Sequence, residues 1–194
     1  MTSSTTAGPA PAHPPAPPAL VSLLAGWHRV ECWIAVLAFT FIAAVLVIDV
    51  LGREAYGPLM TMLGVQVGAT GLFGSQKLAV FALVIGSFAG IGIATATGVH
   101  LVPRIGFKWL PAAWSPQVDR LADVFTGLFL LGVTWYGVVF VLASRQSGVL
   151  ASVINLSAWP IQMAIPLGFA SAALRYFAFA AWPALRPVPP EFQE

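Results

Sequence analysis

Asp49, Arg53 and Glu54 stand within one and a half helical turns of one another in the stretch IDVLGREAYG, directly after an unbroken apolar run. On a continuing helix Asp49 and Arg53 share a face at i,i+4 spacing and can form an ion pair. At the edge of an apolar layer such a pair lets the helix leave hydrocarbon without an uncompensated charge. The other residues with chemical capacity are dispersed. His13, His28 and His100 and the single cysteine, Cys32, form no set at metal-ligand spacing, and Cys32 cannot close an intrachain disulfide. A bis-histidine haem needs facing imidazoles, and only His28 and His100 flank apolar runs at matching ends. No Ser/His/Asp or Cys/His arrangement stands out, and GIGIATATG lies inside an apolar run rather than between a strand and a helix, which is the wrong setting for a phosphate loop. The residues therefore give no ground for a catalyst or for a bound cofactor or metal.

The elements that must position these residues follow from composition. Hydrophobic residues make up 58% of the 194 and charged residues 8%, whereas a soluble domain is typically about a quarter charged. With a mean hydropathy of +0.86, the chain reads as an all-α membrane protein. The net charge of +2 comes from Lys and Arg scattered singly, which act as topology determinants and not as a nucleic-acid patch. Four charge-poor runs are long enough to cross a bilayer, at about 31–51, 78–99, 119–144 and 158–181. Ser115, Pro116, Asp119 and Asp123 suit a helix start ahead of the third, and Pro166 predicts a kink or break within the fourth. Residues 1–26 read as a disordered Pro/Ala-rich tail, 27–182 as the membrane domain and 183–194 as a second tail. The uncharged stretch 55–76 carries five glycines, Pro58, Gln66 and Gln76, and reads as a short interfacial helix or re-entrant segment rather than a fifth span.

With four spans, Arg29, Arg104, Lys108, Arg120, Arg175 and Arg186 fall on the side of the N-terminus, and Arg53, Lys77 and Arg145 fall on the other. The positive-inside rule then expects both termini in the cytoplasm. Transport paths usually show as ionisable side chains within spans. The span interiors read as free of them, with Arg175 near an inner end where its side chain can snorkel to the headgroups. In the second span Ala82, Gly86, Gly90, Ala94 and Gly98 recur every four residues and make one smooth face. Such a face allows close helix approach, either to another protein or to a helix of the same bundle.

The first run ends in Asp49, Val50, Gly52 and Arg53, followed by Tyr56 and Gly57; the second ends at His100; the third opens on an Asp-bearing turn; and LSAWPIQMAIPLGFASAALR carries Trp159 and then Ile165, Pro166, Leu167 and Gly168. In that order these features resemble the small membrane subunit (DctQ-like) of tripartite ATP-independent periplasmic, or TRAP, transporters, over roughly residues 27–182. Gln76 and Lys77 stand where that family often has an acidic residue, and Pro103 and Arg104 follow His100 where an Asp is common. The resemblance implies a non-catalytic inner-membrane subunit with Asp49, Gly52, Arg53, His100 and Pro166 as family positions. It implies as partners a large multi-span permease subunit, which holds the sodium or proton coupling, and a periplasmic solute-binding protein delivering an organic acid. Membrane lipid is the remaining expected contact and nucleic acid is not one. Two other readings stay open: the membrane anchor of a redox complex, holding haem or quinone through His28 and His100, and the small subunit of a tripartite tricarboxylate transporter.

Overall fold

The computed structural model describes residues 16–66, 68–99, 114–151 and 156–187. Helix α1 (Pro18–Leu51) opens with Pro18 in its first turn, where the missing N–H costs nothing. It thus begins inside the stretch read as tail, and residues 18–26 are helical; the apolar ALVSLLAGW simply extends the run N-terminally. Its 34 residues give a rod of about 51 Å, against about 30 Å of hydrocarbon, so α1 extends well beyond the span expected at 31–51. A wide turn over Gly52–Tyr56, closed by the Gly57 N–H on the Gly52 carbonyl, leads directly into the short α2 (Gly57–Met62). Residues 63–66 and 68–74 add no further helix, and Thr70 and Leu72 lie against the end of α1, so the described part of 55–76 supplies a short extra helix and a loop instead of a fifth span.

Helix α3 (Ser75–Thr97) ends at Gly98, whose φ of 73° lets its N–H reach back to the Ala94 carbonyl. Helix α4 (Ser115–Gln146) starts with proline in its first turn, as expected. A short antiparallel pair, β1 (Leu150–Ala151) and β2 (Leu156–Ser157), closes the following loop, with Leu150 opposite Ser157. Helix α5 (Trp159–Gln162) precedes α6 (Ala164–Ala181), and the fourth span is broken at Met163. The break sits where Pro166 dictates, because proline has no N–H for the Gln162 carbonyl four residues back. A single 3-10 turn, Pro183–Leu185, follows.

Among the described residues four helical segments are long and apolar enough to cross a membrane: Pro18–Met62, Ser75–Thr97, Pro116–Gln146 and Trp159–Ala181. They pack as a row, with α3 between α1 and α6, and α6 between α3 and α4. Small residues set each seam, since lipid removes the hydrophobic drive and leaves close packing to hold helices together. A Cβ on Gly86 would sit 3.2 Å from that of Ala38 in α1. In α6, Gly168 lies against the backbone of Phe88 in α3; Gly127 and Gly137 of α4 receive Phe177 and Pro166. Helix α6 is therefore the best covered, while α1 and α4 keep broad exposed faces.

Candidate functional site

Polar side chains gather toward the two ends of the helices. At the end where α1 meets α2, the family-type motif folds into a clamp. Asp49 is buried; its carboxylate pairs with the Arg53 guanidinium and accepts the Leu72 backbone N–H at 2.9 Å. One side chain thus holds both its own helix end and the returning loop. Glycine is needed at three points of this contact: Gly52 and Gly57 lie against Thr70, and a Cβ on Gly71 would come within 2.8 Å of the Asp49 carboxylate. Arg53 stays half exposed and borders an open cleft of about 490 Å³ with Pro58, Thr61, Met62 and Thr70. Among the described residues its guanidinium bonds only Asp49, and its other N–H groups have the chemistry to bind an acidic group there.

At the other end the structure corrects the sequence reading. Arg175 does not snorkel. It is 2% exposed, the largest fully buried side chain among the described residues, and it meets Glu31 of α1, 4% exposed. Arg175 Nη2 donates to Glu31 Oε2 at 2.7 Å and Nη1 to Oε1 at 3.1 Å, a two-pronged fork. Nη1 also reaches the Gly92 carbonyl of α3 at 2.8 Å and Ser171 Oγ at 2.9 Å. Ser171 donates to Glu31 and accepts from Trp27 Nε1 at 2.9 Å as well as from Arg175, so its hydroxyl uses one donor and two acceptor sites in full. A Cβ on Gly92 would overlap the Glu31 carboxylate and lie 2.9 Å from Arg175 Nη1. Three helices are therefore bolted together by a buried ion pair and the groups of α3 and α6 that it bonds. A third polar contact ties the C-terminal turn to α4: Arg186 Nε donates to Asp123 at 2.9 Å and Nη1 to Asp119 at 3.1 Å.

Of the residues singled out from sequence, Asp49, Gly52 and Arg53 come together in the clamp. Pro166 lies buried in the first turn of α6 against Gly137, away from both clusters. His100 lies outside the described residues, so its approach to His28 is not defined; His28 Nε2 contacts Cys32 Sγ at 3.6 Å. The four-residue repeat of α3 divides: Ala82 and Gly86 are buried, Gly86 against α1; Gly98 meets Pro187; Ala94 is half-buried; and Gly90 has nothing within 4 Å of where its Cβ would lie. It is thus no single uninterrupted face. Glu31, Ser171, Trp27 and Gly92 were not anticipated as a site. The available signal was an acidic residue on the flank of the first apolar run and an Arg inside the last, two unlike charges at the same expected depth.

The family model described as tripartite ATP-independent periplasmic transporters, DctQ component, matches residues 42–184. The ectoine TRAP transporter small permease protein TeaB of Halomonas elongata is 24% identical over 148 residues, which is 76% of this chain and 70% of that relative. No solved structure matches the chain.

Proposed function

Because the chain belongs to the DctQ component family of tripartite ATP-independent periplasmic transporters, we propose that it is a small non-catalytic subunit that scaffolds a large multi-span permease in the inner membrane. In this reading a periplasmic binding protein delivers an organic acid. The large subunit moves it, coupled to a sodium or proton gradient. The observation that carries the scaffold role is the Glu31–Arg175 pair: the intramembrane charges lock α1, α3 and α6 to one another, where a substrate or ion path would need them accessible. Such a rigid row suits a body against which another subunit moves.

With Arg175 withdrawn from the surface, Arg29, Arg104, Lys108, Arg120 and Arg186 still outnumber Arg53, Lys77 and Arg145, which favours both termini in the cytoplasm. The clamp at Asp49 and Arg53 then faces the periplasmic edge, and the Glu31–Arg175 lock lies toward the cytoplasmic one. This subunit binds no cofactor in this reading, and a haem spectrum in the purified protein would favour a redox anchor instead. Specificity resides in the binding protein and large subunit. Ectoine, for which the Halomonas elongata relative is named, is the first compound to test beside simple carboxylic acids.

The test is uptake of labelled solutes into vesicles holding the large subunit, this chain and the binding protein. Uptake should require all three and an imposed sodium or proton gradient. Full uptake with this chain omitted would refute the scaffold role.

A further inference from the structure

Helices α1 and α4 both stand at the ends of the row, yet their outward faces differ in chemistry. Between Trp27 and Trp33 on one side and Asp49 on the other, α1 exposes Val36, Leu37, Phe39, Phe41, Val47 and Ile48. Carbon side chains in the middle with tryptophan toward the end is what acyl chains and headgroups select. Helix α4 likewise exposes aliphatic side chains such as Leu121, Leu128 and Leu131, but adds Phe125, Phe129 and Phe140 and, well inside its run, the two ring donors Trp135 and Tyr136. Phe125, Phe129, Tyr136 and Phe140 recur at helical spacing on one side of α4, with Trp135 at its margin.

Trp135 and Tyr136, 67% and 75% exposed, sit near the centre of the charge-free run 124–144, about 12–18 Å from its ends. No hydrogen bond joins the Trp135 N–H or the Tyr136 hydroxyl to any described residue. Facing acyl chains at that depth, both donors would go unsatisfied, and for this reason such side chains collect at headgroup level. One turn earlier Gly132 has nothing within 4 Å of where its Cβ would lie, so a notch opens between Phe129 and Tyr136. The opposite side of α4 is already used: Gly127 and Gly137 take up α6, and Thr134 Oγ1 bonds its own helix at the Leu130 carbonyl, 2.8 Å away.

We infer that the Phe129–Gly132–Tyr136 face of α4 is the seat of the large permease subunit, and that α1 faces lipid. The partner is a transmembrane helix that backs into the Gly132 notch and carries a hydrogen-bond acceptor at mid-membrane depth for Tyr136 or Trp135. This inference rests on the small-subunit reading above and names the surface through which it operates.

The experiment places a photo-reactive benzoylphenylalanine at Tyr136, or at Leu37 of α1, in the tagged chain expressed with the complete transporter in native membranes. Both positions are exposed, so neither disturbs the row. Co-purification through the tag reads the subunit assignment, and the position of the adduct reads the face. The expected result is an adduct with the large subunit from Tyr136 and none from Leu37. In the unlabelled chain, Gly132→Trp should abolish co-purification. Tyr136→Phe should weaken it about threefold, the usual worth of one interhelical hydrogen bond in a membrane. Adducts from Leu37 but not Tyr136, adducts between two copies of this chain, or lipid adducts alone from Tyr136 while the large subunit co-purifies would overturn the face assignment. Absence of the large subunit altogether would overturn the subunit reading, and the face assignment with it.

Discussion

Replacing Glu31 by Gln keeps the shape of the side chain and removes its charge, leaving Arg175 as a buried cation. Its guanidinium would then face neutral acceptors alone: the new amide oxygen, the Gly92 carbonyl at 2.8 Å and Ser171 Oγ at 2.9 Å. Removing one member of a buried ion pair costs about 3–5 kcal/mol, which is roughly 150- to 5,000-fold in the ratio of folded to unfolded protein. That is a large share of the roughly 5–15 kcal/mol that holds a domain together. The assay is reversible unfolding in mixed detergent and SDS micelles, followed by circular dichroism and by the fluorescence of the tryptophans, of which Trp27 belongs to the network. Glu31→Leu combined with Arg175→Met should recover most of the loss, because paired apolar replacements of a buried ion pair are commonly near neutral. A Glu31→Gln variant within about 1 kcal/mol of the parent, or a double variant as unstable as the single one, would refute the lock.

The neighbouring glycines of α3 give a sharper contrast. Gly92→Ala puts a methyl into the Glu31 carboxylate and should destabilise by about 1–3 kcal/mol, whereas Gly90→Ala enters open space and should be neutral or gain up to about 1 kcal/mol from helix propensity. The same unfolding titration distinguishes them. Asp49→Ala frees the Leu72 N–H and the Arg53 guanidinium together, at about 1–3 kcal/mol, and limited proteolysis should then cut within 63–74; unchanged cleavage would show that the clamp does not hold the loop. Arg186→Ala releases Asp119 and Asp123 near the surface, so global stability should move by less than about 1 kcal/mol while hydrogen exchange at 183–187 speeds up. Equal exchange in both proteins would contradict that tether.

The four spans were readable because hydrophobicity is a local property: each run of charge-free residues declares itself within about twenty positions. The Asp49–Arg53 pair was readable for the same reason, being four residues apart on one helix. Its second duty was not, since the Leu72 N–H lies 23 residues on, across a glycine-rich turn whose path no local pattern specifies. The Glu31–Arg175 lock spans 144 residues and three helices. Glu31 stood at the very edge of the first expected span, 31–51, just before the charge-free run that starts at Cys32, and so read as a boundary residue and not as the partner that keeps Arg175 from the headgroups. Glu31 also precedes the matched family segment 42–184, so membership alone does not point to it. The small-residue repeat of α3 left open whether another protein or a helix of the same bundle approaches it, and Gly86 meets a helix of the bundle. Its spacing of four drifts around a helix of 3.6 residues per turn, which turns Gly86 toward α1 and leaves Gly90 in the open.

The central claim is that this chain is a scaffold subunit and not a self-sufficient transporter. Its most direct test is the mass of the intact complex released from native membranes in mild detergent through a tag on this chain. A single species holding one copy of this chain and one large multi-span permease is the expected result. Recovery of this chain alone, or with a soluble oxidoreductase and a haem absorbance, would contradict it.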